Sequence, residues 1–254
     1  RFGRESSRRS TGRGLYAPSA GPVPALSLDP AGRISFATLL AVTSPADVRL
    51  ALARSGSTNR AMPALGPNAR DAVVLVPLEL RGSDILAYAF VRAAGLRDHA
   101  GEVSFPGGKV EPGETFEAAV LREVEEEAGL QPADLDILGQ LSPVPVVTGR
   151  FLIHPFVASV TRRPRITSHE HAELLEVRLS RWLQEGEVID AAEAPWRGLP
   201  LVVPHFTLGE RVLYGASAVI LFELLSRLAG RPLTTRLVKD KPWGRRYERE
   251  ETGR

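Results

Sequence analysis

Cysteine is absent from the 254 residues. Disulfides, thiolate-bound zinc, iron–sulfur clusters and a cysteine nucleophile are thereby excluded. Lysine is nearly absent too. It stands only at Lys109, Lys239 and Lys241, so arginine supplies the other 29 of 32 basic residues. No apolar run reaches the roughly 18–20 residues needed to span a bilayer; the longest, around 216–225, is broken by Glu223. A dominant charge is lacking as well. The 32 bases face 30 acids for a net +2, which speaks against a global electrostatic grip on nucleic acid. Neither a membrane nor a nucleic acid is an expected partner, and a cytoplasmic location is the expectation.

The apolar fraction is 43%, enough at this length for a core that needs no covalent staples. The balanced total conceals opposed segments. Residues 1–13 carry five bases and one acid, and residues 236–254 seven bases and four acids. Residues 101–130 carry eight acids and two bases.

Four regions follow from composition. Residues 1–30, rich in Arg, Ser, Gly and Pro, read as a disordered basic tail. Their composition approaches that of a targeting segment, but Gly3, Gly12 and Gly14 disfavour an amphipathic helix. Residues 31–70 read as a helix followed by a linker, the helix starting at Ser44-Pro45 with Ser as N-cap and Pro in the first turn. Residues 71–230 hold the dense apolar pattern. Residues 231–254 read as a charged, loose tail. Within the dense region, strands are predicted over 72–80, 85–92, 135–142, 151–160, 174–179, 201–208 and 212–214. Helices are predicted over 115–128 and 216–228, stopped by Gly129 and Gly230. The mixture lacks strict strand–helix alternation, so the expected fold is α/β with a mixed sheet flanked by helices.

The helix at 115–128 carries the chemistry. At about 100° per residue, Glu123, Glu126 and Glu127 fall within an arc of roughly 100°. Val120, Leu121, Val124 and Ala128 fill the adjacent arc and belong to the core. Like charges three and four residues apart repel, and only Arg122 is interspersed. A hard, oxygen-seeking cation, Mg²⁺ or Mn²⁺, gives such a cluster a purpose. The preceding Gly107-Gly108 pair lets backbone approach a ligand closely.

Gly108-x5-Glu114-x7-Arg122-Glu123-Val124-x-Glu126-Glu127-x-Gly129-Leu130 resembles the Nudix box, with every defining position filled. The resemblance implies a Nudix-type α/β/α sandwich that hydrolyses nucleoside diphosphates linked to another group. It implies Glu123, Glu126 and Glu127 as metal ligands, with a carbonyl of Gly107 or Gly108 beside them. Glu114 and Arg122 would hold the loop on the helix. Family members often dimerise, so a homodimer is carried as an expectation.

Upstream, Arg92-Ala93-x3-Arg97-x3-Gly101-x3-Phe105-Pro106-Gly107-Gly108 resembles the further signature of the coenzyme A pyrophosphatase branch. Its usual Leu-Leu-Thr opening is here Tyr88-Ala89-Phe90. Coenzyme A carries a 3′-phosphate besides its diphosphate, and Arg92 and Arg97 offer planar forks for phosphate oxygens. Each arginine has the alternative of pairing with a nearby acid such as Asp98 or Glu102. His99 is read as structural. Residues 170–179 resemble the family's Glu-Val-Ala-Glu-Val-Phe-Glu-Val-Pro-Leu segment, with His171 at its first Val and Arg178 at its Pro. Glu170 is the candidate for an added metal ligand or general base, with Glu173 behind it. His169 and His171 are read as a surface loop. The alternatives to coenzyme A are ADP-ribose, NADH or another nucleoside diphosphate derivative, or a catalytically silent nucleotide sensor on the same fold.

Overall fold

The structure is a computed structural model that describes residues 42–53, 65–82, 84–184, 187–194 and 201–239. All of these lie in one compact unit, Leu39–Arg254. The expected tail at 1–30, residues 31–41 and 54–64 of the expected helix-and-linker region and the end of the chain from 240 fall outside the described residues.

The first element is α1 (Pro45–Ala53). Ser44 Oγ accepts from the Asp47 amide at 3.3 Å, while the Asp47 carboxylate takes the Ser44 amide at 3.0 Å. This reciprocal cap fixes the helix start. Next come β1 (Arg70–Arg81), β2 (Asp84–Arg92), and the short β3 (Val103–Ser104) and β4 (Gly107–Lys109). Then follow α2 (Phe116–Ala128), β5 (Leu135–Gln140), β6 (Val144–Pro145), β7 (Phe151–Val160) and β8 (His171–Arg178). The remainder is α3 (Ser180–Leu183), β9 (Val188–Glu193), β10 (Val202–Pro204), β11 (Phe206–Leu208), β12 (Arg211–Leu213), α4 (Gly215–Ala229) and β13 (Thr234–Val238).

The main sheet runs β3-β2-β1-β7-β5, with β8 on β2, β4 on β1 and β6 on β7. Among the described residues, β1 and β7 pair in parallel and the other neighbours antiparallel, so the sheet is mixed. Strand alternation separates two apolar layers. Val73 and Leu75 of β1 and Tyr88 and Phe90 of β2 pack under Ala119, Val120, Val124 and Ala128 of α2. Val76 and Leu78, with Ile85, Ala87, Ala89 and Val91, pack with α1 and α4 on the other side. The result is the expected helix–sheet–helix sandwich.

Three expectations change. First, α1 is no appendage: Val48, Ala51 and Leu52 are buried in the α4-side core, so a boundary at residue 71 cuts through packed structure. Second, residues 234–238, assigned to the loose tail, pair in parallel with β9 in a second sheet, β10-β9-β13. Third, 201–208 is two strands. β10 pairs with β9, whereas β11 turns back onto β12. Such long-range pairing leaves no local periodicity to read.

Candidate active site

Helix α2 is bounded as its sequence dictates. Thr115 Oγ accepts from the Ala118 amide at 3.1 Å. Gly129 ends the helix in the left-handed region at φ 61°, its amide donating to Glu125 O. The last carbonyls are satisfied by the segment leading to β8. Thr167 Oγ1 donates to Glu126 O at 2.7 Å, and the Thr167 amide to Glu127 O at 3.2 Å. The Arg165 amide donates to Ala128 O at 2.9 Å, and Arg162 Nη2 donates to Gly129 O. The turn bearing Glu126 and Glu127 is therefore clamped from outside.

Glu123, Glu126 and Glu127 share one flank of α2, with side-chain exposures of 14%, 60% and 10%. Two carboxylates are thus drawn under cover and one faces water. Glycines 107 and 108 form the wall beside them. A Cβ on Gly108 would sit 2.4 Å from Glu123 Cδ, and one on Gly107 would sit 2.1 Å from Val73 O. Gly107 also adopts φ 153°, which side chains rarely do. Its amide donates to Glu127 Oε2 at 2.9 Å. Glycine is required here because the loop lies directly against both the helix carboxylates and β1.

Arg122 ties the loop to the helix. Its Nε and Nη2 each donate at 3.0 Å to the two oxygens of Glu114. Nη2 also reaches Lys109 O at 3.1 Å, and Nη1 donates to Glu123 Oε1 at 2.8 Å. Glu126 Oε2 is 3.8 Å from Nη1. The arginine holds the Glu114 carboxyl below its usual range. Glu123 goes the other way: burial raises it, Arg122 opposes, and Glu127 and Glu126 add to the rise.

As they stand, no three carboxylate or imidazole groups among the described residues converge on one point to hold a metal ion. Glu123 is turned toward Arg122 and Glu127 toward the Gly107 amide. The donor set nevertheless fits a hard divalent cation. Glu114, Glu123 and Glu126 share the single guanidinium of Arg122, and Glu127 adds a fourth carboxylate beside them against the Gly107 amide, so negative charge is in excess. All the donors are oxygens.

The other expected residues separate. Arg92 Nη2 is paired with Glu170 Oε2 at 3.0 Å, so one arm of its guanidinium is engaged by a carboxylate. Arg97 is exposed in the loop between β2 and β3. His99, at φ 59°, turns Nδ1 to Glu102 at 2.9 Å. Glu173 pairs with Arg211 at 3.0 Å. Tyr88 and Phe90, where the coenzyme A signature departs, are fully buried under α2. Their difference is one of packing.

His171 corrects the surface-loop reading. It opens β8 instead of preceding it, its side chain is 1% exposed, and Nε2 lies 3.2 Å from Glu127 Oε1. Sequence reasoning missed it because a histidine flanked by Glu170 and Glu173 looks solvated. The available signal was the Val of the related segment at that position, an apolar residue that marks an inward-facing site.

Residues 69–202 match the NUDIX domain. This chain belongs to the Nudix family. A relative from Photorhabdus laumondii, described as the uncharacterized Nudix hydrolase NudL, is 32% identical over 171 residues, covering 65% of this chain and 88% of that protein. The NudL of Citrobacter koseri is 39% identical over 124 residues, 47% of this chain. The chain spans only 62% of the length of that relative. Among solved structures, a C. elegans Ap4A hydrolase binary complex is 22% identical, covering 44% of this chain and 82% of that one at a TM-score of 0.38. A MutT/nudix family protein from Enterococcus faecalis is 15% identical, covering 74% and 75% at a TM-score of 0.45. Likenesses this distant say nothing of the substrate of this Nudix chain. None of its described helices is long and apolar enough to cross a membrane.

Proposed function

We propose that this Nudix chain is a metal-dependent pyrophosphatase that hydrolyses the diphosphate of coenzyme A or its thioesters to 3′,5′-ADP and 4′-phosphopantetheine. The observation that carries the chemistry is the uncompensated carboxylate flank of α2 packed against the Gly107–Gly108 wall. Glu123, Glu126 and Glu127, with a carbonyl of the glycine loop, would hold Mg²⁺ or Mn²⁺. Bound there, the ion supplies Lewis-acid polarisation and charge neutralisation to a diphosphate.

The chain's own groups do the positioning. Arg122 fixes Glu123 relative to Glu114 and the Lys109 carbonyl. The Gly107 amide orients Glu127, and the cap at Gly129 fixes the turn from which Glu126 and Glu127 project. Preorganisation of this kind removes reorganisation from the reaction itself. Glu170 is the proposed general base or added ligand. Its Oε2 is occupied by Arg92, which leaves Oε1 for a water or a metal.

The coenzyme A assignment rests on the Arg92-to-Gly108 signature and on the exposed Arg97, a cation available to a 3′-phosphate. The Arg92–Glu170 pair favours a second reading. With one of two arginines already neutralised, a substrate lacking the 3′-phosphate, such as ADP-ribose or NADH, fits equally. Parallel hydrolysis of coenzyme A, dephospho-coenzyme A and ADP-ribose separates the two. A preference for coenzyme A that is lost in Arg97→Ala is expected. Equal turnover of the 3′-phosphorylated and dephosphorylated forms would reject coenzyme A as the selected substrate.

A further inference from the structure

Beneath the carboxylate flank lies a buried imidazole that the box does not include. His171 packs its ring against Phe90, with centroids 4.8 Å apart. Its Nε2 sits 3.2 Å from Glu127 Oε1, off the direct N–H line, so neither ring nitrogen makes a well-directed hydrogen bond. A buried polar nitrogen without a partner is costly, and natural cores avoid it. The acceptor that lies beside Nε2 is the carboxylate of Glu127, whose other oxygen already takes the Gly107 amide.

The turn before β8 is well anchored. The His171 amide donates to Ser168 O at 3.3 Å and the Glu170 amide to Ser168 Oγ at 3.2 Å. The Ala93 amide donates to Glu170 O at 2.7 Å. Neighbouring residues then point to opposite faces: Glu170 outward to Arg92, His171 inward to Glu127.

We infer that His171 is a positioning residue for Glu127: a small turn of the ring brings its Nε2–H, already 3.2 Å from Oε1, onto that oxygen while the Gly107 amide holds Oε2, so that the carboxylate presents its remaining lone pairs to the cation. Each carboxylate oxygen has two lone pairs, so one hydrogen bond apiece leaves one on each for a metal. A neutral imidazole protonated on Nε2 suffices. The inference rests on the reading of Glu127 as a metal-holding carboxylate. It extends that reading to a residue that replaces an apolar one in the related segment.

The test is Mn²⁺ binding to the full chain, followed by loss of the free-ion paramagnetic resonance signal, alongside steady-state kinetics. Removing a residue that orients a metal ligand costs about 10–100-fold in metal affinity or activity. His171→Leu is expected to weaken Mn²⁺ by about 10-fold and to lower kcat with substrate KM unchanged. His171→Gln, which places an amide donor near the same oxygen, is expected to recover most of both. A folded His171→Leu that binds Mn²⁺ like the wild type overturns the inference, as does a folded His171→Gln no better than the leucine variant. Glu127→Gln serves as the reference. If it too binds Mn²⁺ normally, the metal role of Glu127 fails and the inference falls with it. Should His171→Leu not fold, nitrogen-15 spectra of histidine-labelled wild type decide. The proton must reside on Nε2, and that resonance must move in Glu127→Gln; an unmoved resonance counts against the inference.

Discussion

Helices α2 and α4 cover opposite faces of the same sheet, and each brings buried charge to it. On α4, Glu223 is 3% exposed and paired with Arg227 one turn on at 2.6 Å. The same oxygen accepts from the Ser142 amide and hydroxyl at 3.0 and 2.8 Å, and Arg227 Nη1 donates to Leu52 O at 2.5 Å. One carboxylate meets one guanidinium, with hydrogen bonds to α1 and to the segment after β5. At α2, three carboxylates, Glu114 from the preceding loop and Glu123 and Glu126 of the helix, meet the one guanidinium of Arg122, with Glu127 beside them. Burial alone therefore does not distinguish a working charge from a structural one; the balance of the pair does. A balanced buried pair closes on itself and is costly to break, whereas the carboxylate excess at α2 is what the proposed cation would offset.

The largest effect should come from breaking the balanced side. Glu223→Ala leaves Arg227 buried without its counter-charge and strips Ser142 of its acceptor. A loss of about 3–5 kcal/mol in folding stability is expected by denaturant titration, with turnover per folded molecule unchanged. If turnover falls while stability holds, the two helices do not divide the roles as described.

Next is the unbalanced side. Glu123→Gln should lower kcat by at least about 10²-fold, the scale of losing one electrostatic stabiliser. Stability should hold, because Arg122 keeps both oxygens of Glu114 and a buried like charge is removed. Near-normal turnover would detach Glu123 from the chemistry.

A smaller effect sharpens the contrast through pH. The Glu123 carboxyl is raised above its ordinary 4.5 by burial, so in that range the folded chain binds more protons than the unfolded chain. Without divalent ion, its contribution should decline as pH rises from 4.5 through the folded pKa, then level off. Glu114 acts oppositely. Its lowered carboxyl stabilises above 4.5 and loses that contribution as pH falls through its folded pKa. Subtracting the stability profile of Glu123→Gln from that of the wild type isolates the first slope. A flat difference across that window would show that burial does not raise the Glu123 carboxyl.

Much of this contrast is legible in the sequence. The extent of α2 to within one residue, its stop at Gly129 and the common flank of Glu123, Glu126 and Glu127 follow from the sequence; that Thr115 caps the helix instead of opening it comes from the structure. So does the apolar character of α4. The pairing of Glu223 with Arg227 is an i, i+4 relation that the sequence prints but that is easily passed over inside an apolar run. What the sequence withholds is long-range. The docking of α1 on α4, the parallel pairing of β13 with β9 and the inward turn of His171 depend on segments far apart in the chain. Arg92 is the instructive intermediate. Asp98 and Glu102 are the acids near it in the sequence, yet its counter-charge is Glu170, brought in by the antiparallel pairing of β2 with β8.

The most direct test of the central claim is product analysis of coenzyme A incubated with the full chain, with Mg²⁺ or Mn²⁺ and again with excess chelator. The account predicts 3′,5′-ADP and 4′-phosphopantetheine in the first condition and neither in the second. Cleavage that survives chelation, or no cleavage of any diphosphate-bridged nucleotide with metal present, would contradict it.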